Sequence, residues 1–223
     1  MIQVTPKWDA AKPKHIVTGL AVLRYPTLVN PEKVLDSPKA SWGATLMFLP
    51  AGTTMQLVDG SDLEFDGATV PALEKALMAA FSEKWSGADA LAKLKAGFSS
   101  PTPAYKWGVR RDADQKGFGP AGTIYVNARR YEAQGMPTLV DAALQPVSKE
   151  QTPKTFYEGA IVRASLDAYA YDVGVSKGVT FSLVNLQKIA DGPVVKYGPA
   201  PADDFDALMD AAQPADLSDL GVK

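Results

Sequence analysis

Two stretches place rings and cations at alternate positions. In EGAIVRASLDAYAYD (158–172) the even positions Ala160, Val162, Ala164, Leu166, Ala168 and Ala170 are small or apolar, while Arg163, Ser165, Asp167, Tyr169 and Tyr171 fall on odd positions. Strand side chains alternate between faces, so one face suits a core and the other presents an arginine and two tyrosines. TIYVNARRY (123–131) repeats the pattern, with Ile124, Val126 and Ala128 on one side and Tyr125, Asn127, Arg129 and Tyr131 on the other. The segment before it adds Lys106, Trp107, Arg110, Arg111 and Lys116, and Lys177 follows the first stretch. Such a surface suits single-stranded nucleic acid, which is held by cations along its phosphates and by rings that stack on bases at roughly 1–3 kcal/mol each. On this reading Lys106, Arg110, Arg111, Arg129, Arg163 and Lys177 meet phosphates, and Trp107, Tyr125, Tyr131, Tyr169 and Tyr171 stack. Stacking needs a ring face but no particular base, so the surface binds without reading sequence.

Other chemistries fit less well. The chain has no Cys and a single histidine, His15, which excludes thiolate sites and zinc sites built on several histidines. His15 heads a strand with no serine–aspartate arrangement beside it, and reads as a surface or structural residue. GFGPAG (117–122) spells a dinucleotide-binding motif, yet a polar loop precedes it and a strand-like run follows, where a strand and a helix are needed. GVSKG (174–178) spells a nucleophile elbow, but the only histidine comes before the serine instead of after it, so a tight turn between strands is expected. The acids of DGSDLEFDG (59–67) lack the ligand order of a calcium loop and read as a solvated loop. A non-enzymatic protein without cofactor or metal is expected.

The elements that must position the ringed faces are mostly strands. Runs at 15–28 and 40–49 are rich in apolar, β-branched and aromatic residues, as is GVTFSLVNLQKI, and a short strand is expected around PTLVDA (137–142). Leu73, Leu77, Phe81 and Trp85 fall four apart, predicting a helix opened by Thr69 as cap, and ADALAKLKAG extends the helical region to Gly97. The order predicts an N-terminal arm over 1–14, a β-rich domain over 15–201 with a helical insertion near 69–97 and a loop over 98–121, and a tail over 202–223. No apolar run approaches the ~18 residues of a membrane span, and the N-terminus lacks the pattern of a signal peptide, so a soluble, intracellular protein is expected.

The net charge of -2 hides a division. From Ala202 onward six aspartates stand against Lys223 alone, leaving 19 acids and 22 bases upstream: a body of +3 with a tail of -5. A mildly basic body with an acidic tail is a pattern of polyanion binders that regulate themselves. Asp203, Asp204, Phe205 and Asp206, followed by Leu208 and Met209, form a short amphipathic segment able to dock on a basic, apolar partner groove.

The succession LRYPTL, ASWGATLMFLP, TIYVNARR, FYEGAIVRASLDAYAYD, KGVTFSLVNLQKIADG and DDFD resembles a bacteriophage family of single-stranded DNA-binding proteins. The similarity runs in order from about His15 to Asp206 and is most specific over 156–192. The resemblance implies a mainly β fold with added helix, an OB-type five-stranded Greek-key β-barrel with elaborations, ending in a disordered acidic C-terminal tail. It also implies protection of single-stranded DNA in phage replication and recombination, in the cytoplasm of the infected bacterial host. Phage or host replication proteins would be the partners of the tail. Two rivals remain at this level: a structural or virion-associated β-protein whose aromatic face is a protein interface, and a metal-dependent nuclease using the acids of DGSDLEFD.

Overall fold

The computed structural model describes residues 4–33, 39–98, 100, 103–111, 119–174 and 176–195. The acidic tail, with Asp203, Asp204, Phe205 and Asp206, lies outside the described residues, as does Lys116. In chain order the strands are β1 (Lys7–Trp8), β2 (His15–Val17), β3 (Ala21–Lys33), β4 (Ala40–Phe48), β5 (Thr54–Gln56), β6 (Asp62–Glu64), β7 (Val109–Arg110), β8 (Ile124–Tyr131), β9 (Thr138–Val140), β10 (Ile161–Val173) and β11 (Ser176–Ala190). The helices are α1 (Thr69–Lys84), α2 (Ala88–Gly97) and the single turn α3 (Thr152–Thr155).

Strand pairing runs in a ring. β3 pairs with β4, β4 with β8, β8 with β11, β11 with β10, and β10 returns to β3. Only the β8–β11 contact within this ring is parallel. This is the mainly β, OB-type arrangement that the resemblance implied. β1 and β2 extend the β10 side, β7 extends β8, and β9 lies along β11.

The alternation of 158–172 survives in β10: Val162, Ala164, Leu166 and Ala168 are buried and face Leu23, Leu46, Val126, Phe181 and Leu183. Register shifts do occur on this hairpin, but the extra residues stand on β11, between the partners of Ser165 and Leu166 and between those of Ile161 and Val162. A bulge on the partner leaves the phase of β10 intact. α1 closes the core with Leu73, Leu77 and Phe81, each worth roughly 1.5–3 kcal/mol when withdrawn from water. Thr69 does not cap α1, since the N-cap is Ala68; the Thr69 hydroxyl instead accepts the amide of Gly19 at 2.8 Å.

A second, smaller core changes the reading of the outer faces. β5 and β6 form a hairpin where a solvated loop is expected, because Leu63 and Phe65 alternate inward between Asp62, Glu64 and Asp66. Together with Leu57 they cover the outward residues Met47 on β4 and Tyr125 on β8. The turn predicted in GVSKG is present, with Val173 opposite Ser176 and Gly174 at a φ of 57°. The segment 103–111, expected as loop, contains β7 and a buried Tyr105 whose ring meets Phe81 edge-on at 5.2 Å and Trp85 at 4.9 Å.

Candidate nucleic-acid interface

Below the β5–β6 hairpin the outer face of the ring is open, and its floor is made of small polar residues. Register places Ser41, Gly43 and Thr45 of β4 opposite Tyr131, Arg129 and Asn127 of β8. The Thr45 hydroxyl donates to Oδ1 of Asn127 at 2.7 Å, which fixes the amide and leaves its N–H groups directed elsewhere. Gly43 makes room for its neighbour, since a β-carbon there would stand 3.1 Å from Cγ of Arg129. On the other side of β8, Arg129 stands opposite Ser182 of β11, and Thr180 and Gly178 of β11 stand opposite Tyr169 and Tyr171 of β10.

Arg129 and Tyr131 of β8 and Tyr169 and Tyr171 of β10 thus gather from two strands on either side of β11. The phenol of Tyr169 is pushed well up, first by burial and then by its contact with Tyr131, while the Arg129 guanidinium works in the opposite sense. Burial likewise pushes Tyr171 up, against a hydrogen bond from Ser176 and the nearby charge of Arg110. These rings stay neutral at physiological pH and do not repel phosphate.

The segment 104–110 is stapled to the edge of β11. The Lys106 amide donates to the Lys177 carbonyl at 2.8 Å, and the Val179 amide donates to the Lys106 carbonyl at 2.9 Å. Gly178 is required here, because a β-carbon would fall 2.2 Å from the Lys106 carbonyl oxygen. The staple sets Lys106, Trp107 and Arg110 around a recess of about 90 Å³ that reaches Asn127, Tyr171 and Thr180. A second recess, of about 160 Å³, lies between Tyr25, Gly43, Thr45, Asn127 and Arg129. Asn127 lines both recesses, which lie on either side of β8.

The structure therefore brings together Lys106, Trp107, Arg110, Arg129, Tyr131, Tyr169 and Tyr171. Four expected residues lie elsewhere. Tyr125 is 6% exposed and packs in the second core, so its ring has no face to offer. Arg163 shares the outer face of β10 but is half-buried and engaged by the N-terminal segment: its guanidinium donates to the carbonyls of Thr18 at 3.3 Å and Thr5 at 3.4 Å. Arg111 pairs with Glu74 of α1. Lys177 lies one residue out of phase with Gly178 and Thr180, and its ammonium sits 5.1 Å from the Tyr105 ring centre.

Two features escape the sequence reading. Tyr25, 46% exposed, has a φ of 46°, a strained conformation for an aromatic residue, and its amide donates to Glu158 at 3.0 Å. The signal for it is Pro26, which interrupts a strand and marks a bulge. His15 also has partners that only the fold supplies: Nδ1 lies 2.6 Å from Oδ1 of Asp167, and Nε2 lies 3.4 Å from the hydroxyl of Ser165. Ser165 is buried against β2, and the trio ties β2 to β10.

Among the described residues no group of three or more acidic or histidine side chains is placed to hold a metal ion, and no helix is long and apolar enough to cross a membrane. Asp59 is occupied by its own turn, accepting from the amide and hydroxyl of Ser61.

Comparison with known proteins agrees with this fold. The single-stranded DNA-binding protein of bacteriophage Enc34 is similar in fold, with a TM-score of 0.58 and 16% identity, covering 92% of this chain and all of that one. The same protein solved in complex with ssDNA gives a TM-score of 0.59 at 15% identity, covering 86% and 98% of the two chains. The single-stranded DNA-binding protein gp2.5 of bacteriophage T7 gives 0.52 at 12% identity, covering 87% and 98%. No curated protein matches by sequence. A family model described as "Enterobacter phage Enc34, ssDNA-binding protein" matches residues 14–217, and the chain belongs to that family.

Proposed function

We propose that this protein binds single-stranded DNA, without enzymatic activity, along the path from Tyr25 across Arg129 to Trp107. The observation that carries the reading is the placement of Arg129 between the Tyr131–Tyr169 pair and the polar floor of Gly43, Thr45 and Asn127. A guanidinium flanked by neutral rings suits a strand whose phosphates meet the cation while its bases stack beside it. Affinity comes chiefly from Arg129, Arg110 and Lys106 on phosphates and from Trp107, Tyr131, Tyr169 and Tyr171 on bases. The complex covers exposed strands during phage replication and recombination in the cytoplasm of the infected bacterial host.

The -5 tail regulates this groove. Its aspartates compete with phosphates for the basic body, and DNA releases Asp203, Asp204, Phe205 and Asp206 to replication proteins of the phage or host. The support is the charge division of the chain. The test is fluorescence anisotropy of a labelled oligo-dT with the full chain and with a chain ending at Pro201, each against unlabelled single-stranded and duplex competitors. Binding competed by single strands and strengthened by truncation is expected. Absence of binding by both forms at low salt would overturn the reading and leave the aromatic face as a protein interface.

A further inference from the structure

Beside the residues gathered above stands an aromatic side chain that is open to solvent. Phe98 is 58% exposed. A single exposed apolar residue needs no explanation, but this one belongs to a pair. Its ring centre lies 5.6 Å from that of Trp107, with the two planes at 74°. Trp107 in turn lines the recess it shares with Lys106, Arg110 and Tyr171. The chain fixes this arrangement in two ways. Leu94 is buried one helical turn before Phe98, the C-cap of α2, so Phe98 falls on the same side of the helix, where the core ends. Gly97 lets the end of α2 approach the segment that carries Trp107, since a β-carbon there would stand 3.1 Å from Cβ of Pro103. The charges beside Phe98 are favourable to an anion. Asp89, the one acid of α2, is held by Lys93 at 2.7 Å, and Lys95 is exposed in the last turn, where it offsets the negative end of the helix.

Resting on the single-strand reading above, we propose that the DNA site continues past Trp107 onto the end of α2, where Phe98 stacks one further base and Lys95 meets a phosphate beside it. The two rings meet edge to face, so they do not stack on each other, and Phe98 keeps open surface for a base. A phenyl ring carries no hydrogen-bonding group, so it takes any base, as the rest of the surface does. Continuity with Trp107 and an exposed lysine three residues away on the helix favour a nucleic-acid strand as the occupant. The helical insertion then has two parts with different work. α1 closes the core with Leu73, Leu77 and Phe81, while α2 fully buries only Leu94 and presents its end to the strand. The footprint on DNA is correspondingly longer than the strands of the ring alone provide, and a strand gains the extra base only when it is long enough to reach α2.

The experiment is fluorescence anisotropy of labelled oligo-dT in a series of increasing length, at fixed salt, with the full wild-type chain and with Phe98→Ala. The shortest oligonucleotides that bind are expected to bind both proteins equally, because the ring strands and Trp107 hold them. Beyond one length the wild type is expected to bind roughly tenfold tighter than the variant, within what one stacked base provides. Phe98→Tyr keeps the ring and should follow the wild type at every length. Lys95→Gln should make the salt slope on long strands shallower by about 0.7, the share of one phosphate. Equal binding of wild type and Phe98→Ala at every length would overturn the extension and leave the exposed ring as a protein contact. A loss of the same size at every length, or a loss in Phe98→Tyr equal to that in Phe98→Ala, would also overturn it. An unchanged slope in Lys95→Gln would overturn the phosphate contact. Failure of the wild type to bind any single strand would instead overturn the function on which the extension rests.

Discussion

Arg129 crosses the β4–β8 pair directly over Gly43: a β-carbon on Gly43 would stand 2.9 Å from the Ala128 carbonyl oxygen and 3.1 Å from Cγ of the arginine. The glycine is what leaves room for the arginine stem at this point of the sheet. Gly43→Ala must push either the strand pair or the arginine stem aside, at a cost of about 1–3 kcal/mol for overpacking. Chemical denaturation is expected to show that loss, and oligo-dT binding is expected to weaken in the fraction that remains folded. Unchanged affinity would mean that the position of Arg129 does not matter to the strand.

Tyrosines 125 and 171 should part company on substitution. Tyr125→Ala empties a site in the second core and is expected to cost about 3–5 kcal/mol of stability. Folded Tyr125→Ala should bind oligo-dT as the wild type does. Tyr171→Ala removes a stacking ring and is expected to cost roughly 1–3 kcal/mol of binding with a small effect on unfolding. Urea melts and anisotropy on the two variants distinguish the roles, and the reverse pattern would contradict the placement of both residues.

How much of this was legible in the sequence is shown by the same two tyrosines. Period two set the faces of β8 and β10 correctly, and Arg129, Tyr131, Tyr169 and Tyr171 follow from it. It cannot say which outward residues are later engaged by other segments. Tyr125 is lost to Leu63 and Phe65, from a hairpin whose acids made it read as a solvated loop. Arg163 is lost to an arm that adds β1 and β2 beside β10. Both are contacts between segments far apart in sequence, and no local pattern encodes them. The α1 stripe of Leu73, Leu77 and Phe81 was legible because one helix face supplies its own periodicity.

Arg163 anchors the arm through the carbonyls of Thr5 and Thr18. Arg163→Ala is expected to raise amide exchange over residues 4–18 while leaving the salt slope of oligo-dT binding unchanged. A fall in that slope would return Arg163 to the phosphate path.

Alkaline stability tests the clamp at the end of β11. The Tyr157 hydroxyl contacts Asp191 at 3.0 Å and the Gly192 carbonyl at 2.9 Å, and its phenol is pushed up to about 12 from the ordinary 10.0, first by burial and then by Asp191. The folded state thus holds this proton more tightly than the unfolded chain. Its contribution is fully present below pH 10 and is lost as pH rises through about 12. Tyr157→Phe should be less stable than wild type at pH 8, with the gap closing toward pH 12 in urea melts. A gap that stays constant would show that the phenol proton is not linked to folding.

The account rests on Arg129 meeting a phosphate at the centre of the path. The direct test is a salt titration of oligo-dT binding by the wild type and Arg129→Ala, in which log K falls with log salt by about 0.7 for each phosphate neutralised on a single strand. The account predicts weaker binding by the variant and a slope shallower by about that one contact. Equal slopes and equal affinities for the two proteins would place the strand elsewhere on the molecule.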